Sequence, residues 1–152
     1  MNNSYYNNNR GNSRPVNNSS VPKEIPELNE KTYVKQAEDV IGKLKIDNRS
    51  NKIGITSSQI RNLLTLINEV YNLIQHDHGE KLSDEVQSRA QYIKMRIAYS
   101  AGREPYVNDF VKKSNIMTYI DRSGDSRKKL MLVCNYMEAL VAYHKFIRGN
   151  VD

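Results

Sequence analysis

Arg89, Tyr92, Arg96, Tyr99 and Arg103 recur at spacings of three and four, and they offer the most chemistry in the sequence. At about 100° per residue they share one helical stripe about 80° wide, roughly 120° from the apolar residues Val86, Ile93 and Ile97 of the same segment. Such a stripe borders solvent. It presents guanidinium forks, which bond phosphate bidentately, among rings able to stack on bases or sugars. A purely structural reading competes, in which the rings pack on a neighbouring helix and the arginines pair with Glu85, Glu104 or Asp109. Lys94 lies on the other flank and joins the stripe only in a wide groove. Arg61 follows Ile60 in the first turn of another helix, where backbone N–H groups also favour an anion. The clusters Lys112–Lys113 and Arg122, Arg127, Lys128, Lys129 are assigned to the solvated faces and ends of amphipathic helices.

Catalytic patterns are not expected to be completed. His76, Asp77, His78 and Glu80 resemble metal ligands, but they crowd a short loop beside Gly79 with no second cluster to close a coordination shell. His144 and the single cysteine, Cys134, sit on an apolar stripe and read as core residues. Ser57 and Ser58 have no base at a recognisable spacing and fit a helix start. There is no Gly-rich phosphate loop, nucleophile elbow or carboxylate pair. The expectation is a protein that is not an enzyme, with no catalytic residue, metal or cofactor.

The elements that must position these residues are helices. Residues 1 to 28 are rich in Asn and Ser, contain Pro15, Pro22 and Pro26, and lack periodicity, which predicts a disordered tail in which Tyr5, Tyr6, Arg10 and Arg14 touch RNA weakly at most. From residue 29 to 152 apolar residues follow helical spacing. Tyr33, Val34, Ala37, Val40, Ile41 and Leu44 mark a first helix, and residues 46 to 55 a loop. Thr56 with Gln59 is a capping-box signature for a second helix over about 57 to 75, lined by Ile60, Leu63, Leu64, Ile67, Val70, Tyr71 and Ile74. Ser83 caps a third, stopped by Gly102. Pro105 opens a fourth, whose core face is Val107, Phe110, Val111, Met117 and Ile120. Gly124 breaks it. Asp125 or Ser126 then caps a fifth, reaching about Ile147, so apolar that it should be the central one. The predicted fold class is all-α: a single five-helix bundle behind a tail.

Composition agrees with such a protein. A chain of 152 residues is long enough for one self-sufficient core. Lys and Arg exceed Asp and Glu by 23 to 17, and the excess survives removal of a tail that holds Arg10, Arg14 and Lys23 against Glu24 and Glu27. That balance suits an acidic partner such as nucleic acid, or simple solubility. No stretch approaches the roughly 18 apolar residues of a membrane span, and the polar start lacks a signal peptide's apolar region, so a cytoplasmic protein without membrane contact is expected.

Three strings carry a family resemblance. Ile55-Thr56-Ser57-Ser58-Gln59-Ile60-Arg61-Asn62-Leu63-Leu64 resembles a helix start of the small subunit of type III-A CRISPR effector (Csm) complexes. Tyr99-Ser100-Ala101-Gly102-Arg103-Glu104 is similar to that family's Y-x-A-G-R-E turn, and the segment from Cys134 to Phe146 resembles its C-terminal helix. The three occur in the family's order across residues 32 to 149. The end differs, reading Phe146-Ile147-Arg148-Gly149 where the family usually has F-Y-G-G.

The resemblance implies a non-catalytic helical subunit that stacks in several copies as a filament beside crRNA-bound backbone subunits, along the duplex of crRNA and target RNA. It implies other Csm subunits as partners, including a large polymerase-like one, and a role in antiviral defence. A duplex read by base pairing needs a protein that recognises phosphate and sugar. On that basis Arg61, Lys94 and Arg103 are the leading RNA contacts, followed by Arg89, Arg96 and Lys52. Two alternatives are a basic helical adaptor for a protein partner and a metal-dependent hydrolase built on His76 and His78.

Overall fold

Helix starts in this chain are fixed by side chains that satisfy the first free backbone N–H groups. In the computed structural model, which describes residues 23–149, the Thr56 hydroxyl accepts from the Gln59 N–H at 3.1 Å while the Gln59 side chain accepts from the Thr56 N–H at 3.0 Å. This reciprocal pair opens helix α2 (Ser57–His76). Ser83 caps α3 (Asp84–Arg103) through the Val86 N–H, and Ser126 caps α6 (Arg127–Arg148) through the Lys129 N–H. Pro105 opens α4 (Pro105–Ser114), where its missing N–H is no loss. The first helix, α1 (Tyr33–Gly42), starts without a side-chain cap.

Four expectations are corrected. The first is the helix count, which is six among the described residues because the fourth expected helix divides at Asn115 into α4 and α5 (Ile116–Ser123). Asn115 has φ 56° and ψ 25°, a left-handed conformation that asparagine tolerates better than most residues. In an unbroken helix Ile116 would lie about 240° around from Phe110 and face away from the core. The break turns it inward, so Ile116 is buried and Met117, expected in the core, is only partly covered.

The second correction concerns residues 46 to 55, expected as a loop. They hold a short antiparallel hairpin of β1 (Ile46–Asp47) and β2 (Lys52–Ile53), with Ile46 opposite Ile53 and Asp47 opposite Lys52. Asp47 organises the turn by accepting from the Ser50 hydroxyl at 2.9 Å and from the Arg49 and Ser50 N–H groups, while Asn51 supplies the left-handed residue. The Ser50 hydroxyl chiefly holds the Asp47 carboxyl below its ordinary pKa.

Third, Gly102 does not end α3. The helix runs to Arg103 and stops at Glu104, whose extended backbone (φ −125°, ψ 112°) is what a residue before proline requires.

Fourth, residues 23–28 are expected in the tail, yet Ile25 and Leu28 pack, partly buried, against the core. The Pro26 carbonyl accepts from the Tyr119 hydroxyl at 2.7 Å, and the Ile25 carbonyl accepts from Arg122 at 3.0 Å. The tail residues Tyr5, Tyr6, Arg10 and Arg14, and the end of the chain beyond Gly149, lie outside the described residues.

Helix α6 is central, as its composition predicts. It buries Leu130, Val133, Cys134, Tyr136, Met137, Leu140 and His144 and packs against α1, α2 and α5. Helix α3 lies on the outside of this arrangement, on α2, α4 and α5. No helix among the described residues is long and apolar enough to cross a membrane.

Candidate nucleic-acid interface

The α3 stripe is exposed, as its spacing requires. Val86, Ala90, Ile93, Ile97 and Ala101 take the inner face, while Tyr92 and Tyr99 keep 39% and 63% of their surface in solvent. The rings and guanidiniums stack on each other along the helix. The Arg89 guanidinium carbon lies 4.7 Å from the centre of the Tyr92 ring, that of Arg96 lies 5.9 Å from the same ring, and that of Arg103 lies 5.4 Å from the Tyr99 ring.

Neighbours divide the stripe by charge. Arg89 donates to Glu69 of α2 at 2.6 Å, a partner other than the acidic residues considered from sequence. Arg96 and Arg103 make no ion pair among the described residues, so both offer an unneutralised cation. Arg103 also borders a groove with Gln59, Asn62 and Leu63 of α2 and Ser100 of α3.

The other expected contacts stand apart. Lys94 is drawn to the far flank of α3, where it pairs with Asp121 of α5 at 2.7 Å. Arg61 is exposed and lies about 100° around α2 from the groove residue Asn62. Its charge contributes to lowering the pKa of the buried His144 of α6. Lys52 is on β2, half-buried. The six residues thus do not share one surface: Arg89, Arg96 and Arg103 line one face of α3, Lys94 lies on its other flank, Lys52 is on β2 and Arg61 is in the first turn of α2.

Arg148 ties the end of α6 to the hairpin, a contact that sequence does not reveal. Its Nε donates to the Ile53 carbonyl at 3.0 Å, and His144, one turn earlier, contacts the Ile55 carbonyl through Nε2 at 2.8 Å. The end of α6 thereby grips alternate carbonyls of β2 and its exit. The i, i+4 spacing of His144 and Arg148 is legible, but their targets lie too far away in sequence to be read from it.

Other basic residues have structural work. Lys113, assigned to solvated surface, pairs with the buried Asp109 at 2.8 Å and donates to the Lys43 carbonyl at 2.7 Å, while Asp109 accepts from the Lys45 N–H. That link ties α4 to the end of α1. Arg127 donates to the Asp77 carbonyl and Arg122 holds residues 25 and 26.

The His76–Glu80 loop is also committed to structure. Asp77 accepts from the Ser83 N–H at 2.9 Å and the His78 N–H at 3.1 Å, and the Ser83 contact chiefly holds its carboxyl below the usual pKa. No set of three His, Cys, Asp or Glu among the described residues is grouped to hold a metal. Burial pushes the Cys134 thiol up to about 12, the opposite of activation.

Sequence comparison supplies the family. The chain is 44% identical over 101 residues to a protein of Enterococcus italicus named CRISPR system Cms protein Csm2, with 62% of this chain and 69% of that protein aligned. Proteins of the same name from Streptococcus thermophilus and Mycobacterium tuberculosis are 38% and 35% identical, covering 80% and 76% of this chain and 96% and 90% of those proteins. The family model for Csm2 of type III-A matches residues 28–150, a span that takes in the N-cap of α2, the turn between α3 and α4 and the whole of α6. The chain belongs to the Csm2 type III-A family.

Proposed function

We propose that this chain is a non-catalytic subunit of a type III-A CRISPR ribonucleoprotein complex, stacking in several copies and contacting the backbone of the crRNA–target duplex in antiviral defence. Its partners in this reading are crRNA, target RNA, the other Csm subunits and further copies of itself, in the cytoplasm. The observation that carries the RNA-facing part is the pair Arg96 and Arg103. Both are cations on an exposed helix face, stacked on tyrosines and unmatched by carboxylates. Such forks suit phosphates, whose recognition is independent of sequence. Arg61 at the start of α2 and Lys52 on β2 offer further basic contacts. A non-catalytic role is supported by the consumption of Asp77 in loop structure and by the burial of His144 and Cys134.

The adaptor reading, in which the partner is a protein alone, draws on large apolar side chains left exposed, above all Phe146 at 82% and Met95 at 57%.

The test uses the assembled complex with alanine at Arg61, Arg96 or Arg103, after each variant is shown to enter at normal copy number. Each should weaken RNA binding similarly for unrelated guides and make the slope of log affinity against log salt shallower by about 0.7 to 0.9 per lost phosphate contact. Exposed Lys112 is the control; Lys113 is unsuitable because it pairs with Asp109. Wild-type affinity and slope in all three variants would leave the adaptor reading.

A further inference from the structure

Sequence alone makes Tyr92 a platform on which a base could stack. Its surroundings argue otherwise. Arg89, one turn before it, and Arg96, one turn after it, both place guanidiniums against its ring, and the Arg96 Nη1 also donates to the Tyr92 hydroxyl at 3.3 Å. Arg89 is itself anchored on α2 by Glu69 at 2.6 Å. A chain of contacts therefore runs from Glu69 through Arg89 and Tyr92 to Arg96. Its last member is the one whose charge has no carboxylate partner among the described residues.

We propose that Tyr92 is a positioning residue: its ring, held between Arg89 and Arg96, presents the Arg96 fork to a phosphate and is thereby withdrawn from stacking on a base. This rests on the reading of α3 as an RNA-facing surface. An arginine that is free in solution loses rotamer freedom when it binds, and one already stacked on a ring loses less. Tyr99 differs. Among the described residues it has a guanidinium only from Arg103, 5.4 Å from its ring centre, and it stays 63% exposed against 39% for Tyr92. The two tyrosines of the stripe therefore have different tasks, the first ordering an arginine and the second offering a surface.

The experiment compares Tyr92→Leu, which removes the ring, with Tyr92→Phe, which keeps it. Two readouts are needed. In the full-length chain, the NMR order parameter of the Arg96 Nε–H should fall for Tyr92→Leu and stay near wild type for Tyr92→Phe, with the melting midpoint of each confirming an intact fold. In the assembled complex, Tyr92→Leu should weaken binding of target RNA by roughly three- to tenfold, the range expected for ordering one long side chain. Its salt slope should be unchanged, since no charge is removed. Tyr92→Phe should rescue most of the affinity.

Two results would overturn the proposal. One is an Arg96 side chain as ordered in Tyr92→Leu as in the wild type; the other is wild-type RNA affinity in Tyr92→Leu when Arg96→Ala binds weakly. A third result is distinct from both. If Arg96→Ala and Arg103→Ala bind RNA with wild-type affinity and salt slope, α3 does not face RNA, and the proposal falls with the reading beneath it.

Discussion

His144 shows how a buried side chain couples stability to pH. Burial lowers its pKa from the ordinary 6.5, against the hydrogen bond to Ile55, which raises it; the charges of Arg148 and Arg61 lower it further. The unfolded chain therefore takes up a proton near 6.5 that the folded chain resists. Stability contributed by neutral His144 is complete above that value and is lost as pH falls from 6.5 through the lower folded pKa. Urea midpoints measured at pH 7.5 and 5.5 should show a larger drop for the wild type than for His144→Gln, and equal drops would refute the coupling. His144→Ala should cost about 2–4 kcal/mol at neutral pH, from the cavity and the orphaned Ile55 carbonyl. That His144 and Cys134 are core residues was legible, because both share the apolar stripe of α6. The partner of His144 was not, since Ile55 lies 89 positions away. The same limit applied to the α3 stripe: its exposure followed from spacing, but the pairing of Arg89 with Glu69 and of Lys94 with Asp121 depends on how neighbouring helices dock.

Caps and periodicity made the helices readable, and the irregular elements were where that information ran out. A hairpin with two residues in each strand is too short to alternate visibly. What fixes it is packing from both sides: α6 grips its carbonyls, and the Tyr106 ring of α4 lies directly on Gly54, its hydroxyl donating to Asp47 at 3.3 Å. A Cβ on Gly54 would come within 2.2 to 2.5 Å of three carbons of that ring, so this glycine is required by close approach. Gly54→Ala should therefore destabilise the fold by about 1–3 kcal/mol, and most of that loss should vanish when the substitution is made in a Tyr106→Ala background. A double-mutant cycle by chemical denaturation measures the coupling; strictly additive costs would show that Tyr106 is not the obstacle. The break at Asn115 could have been suspected from register, because one helix cannot bury Phe110 and Ile116 on the same face.

At the scale of the molecule, two segments at opposite ends of the sequence complete the core. Residues 23–28 lie against α5, so the boundary of the folded part falls earlier than the composition of the tail suggests. Removing residues 1–22, whose composition offers no packing signal, should leave the melting midpoint unchanged. Removing residues 1–28 should lower stability by about 1–2 kcal/mol through lost burial of Ile25 and Leu28. Equal midpoints for both truncations would mean that the docked segment adds nothing. The later segment matters more, because α6 is the central helix and follows the other five described helices in the chain. At about 5–20 residues per second, α1, α2 and α5 are made before the helix they pack around, and until it follows, the apolar faces they turn to it stay uncovered. The core can close only once α6 has emerged. A message truncated within α6 thus yields no smaller version of this protein, only a chain with exposed apolar faces that invites chaperones and proteases.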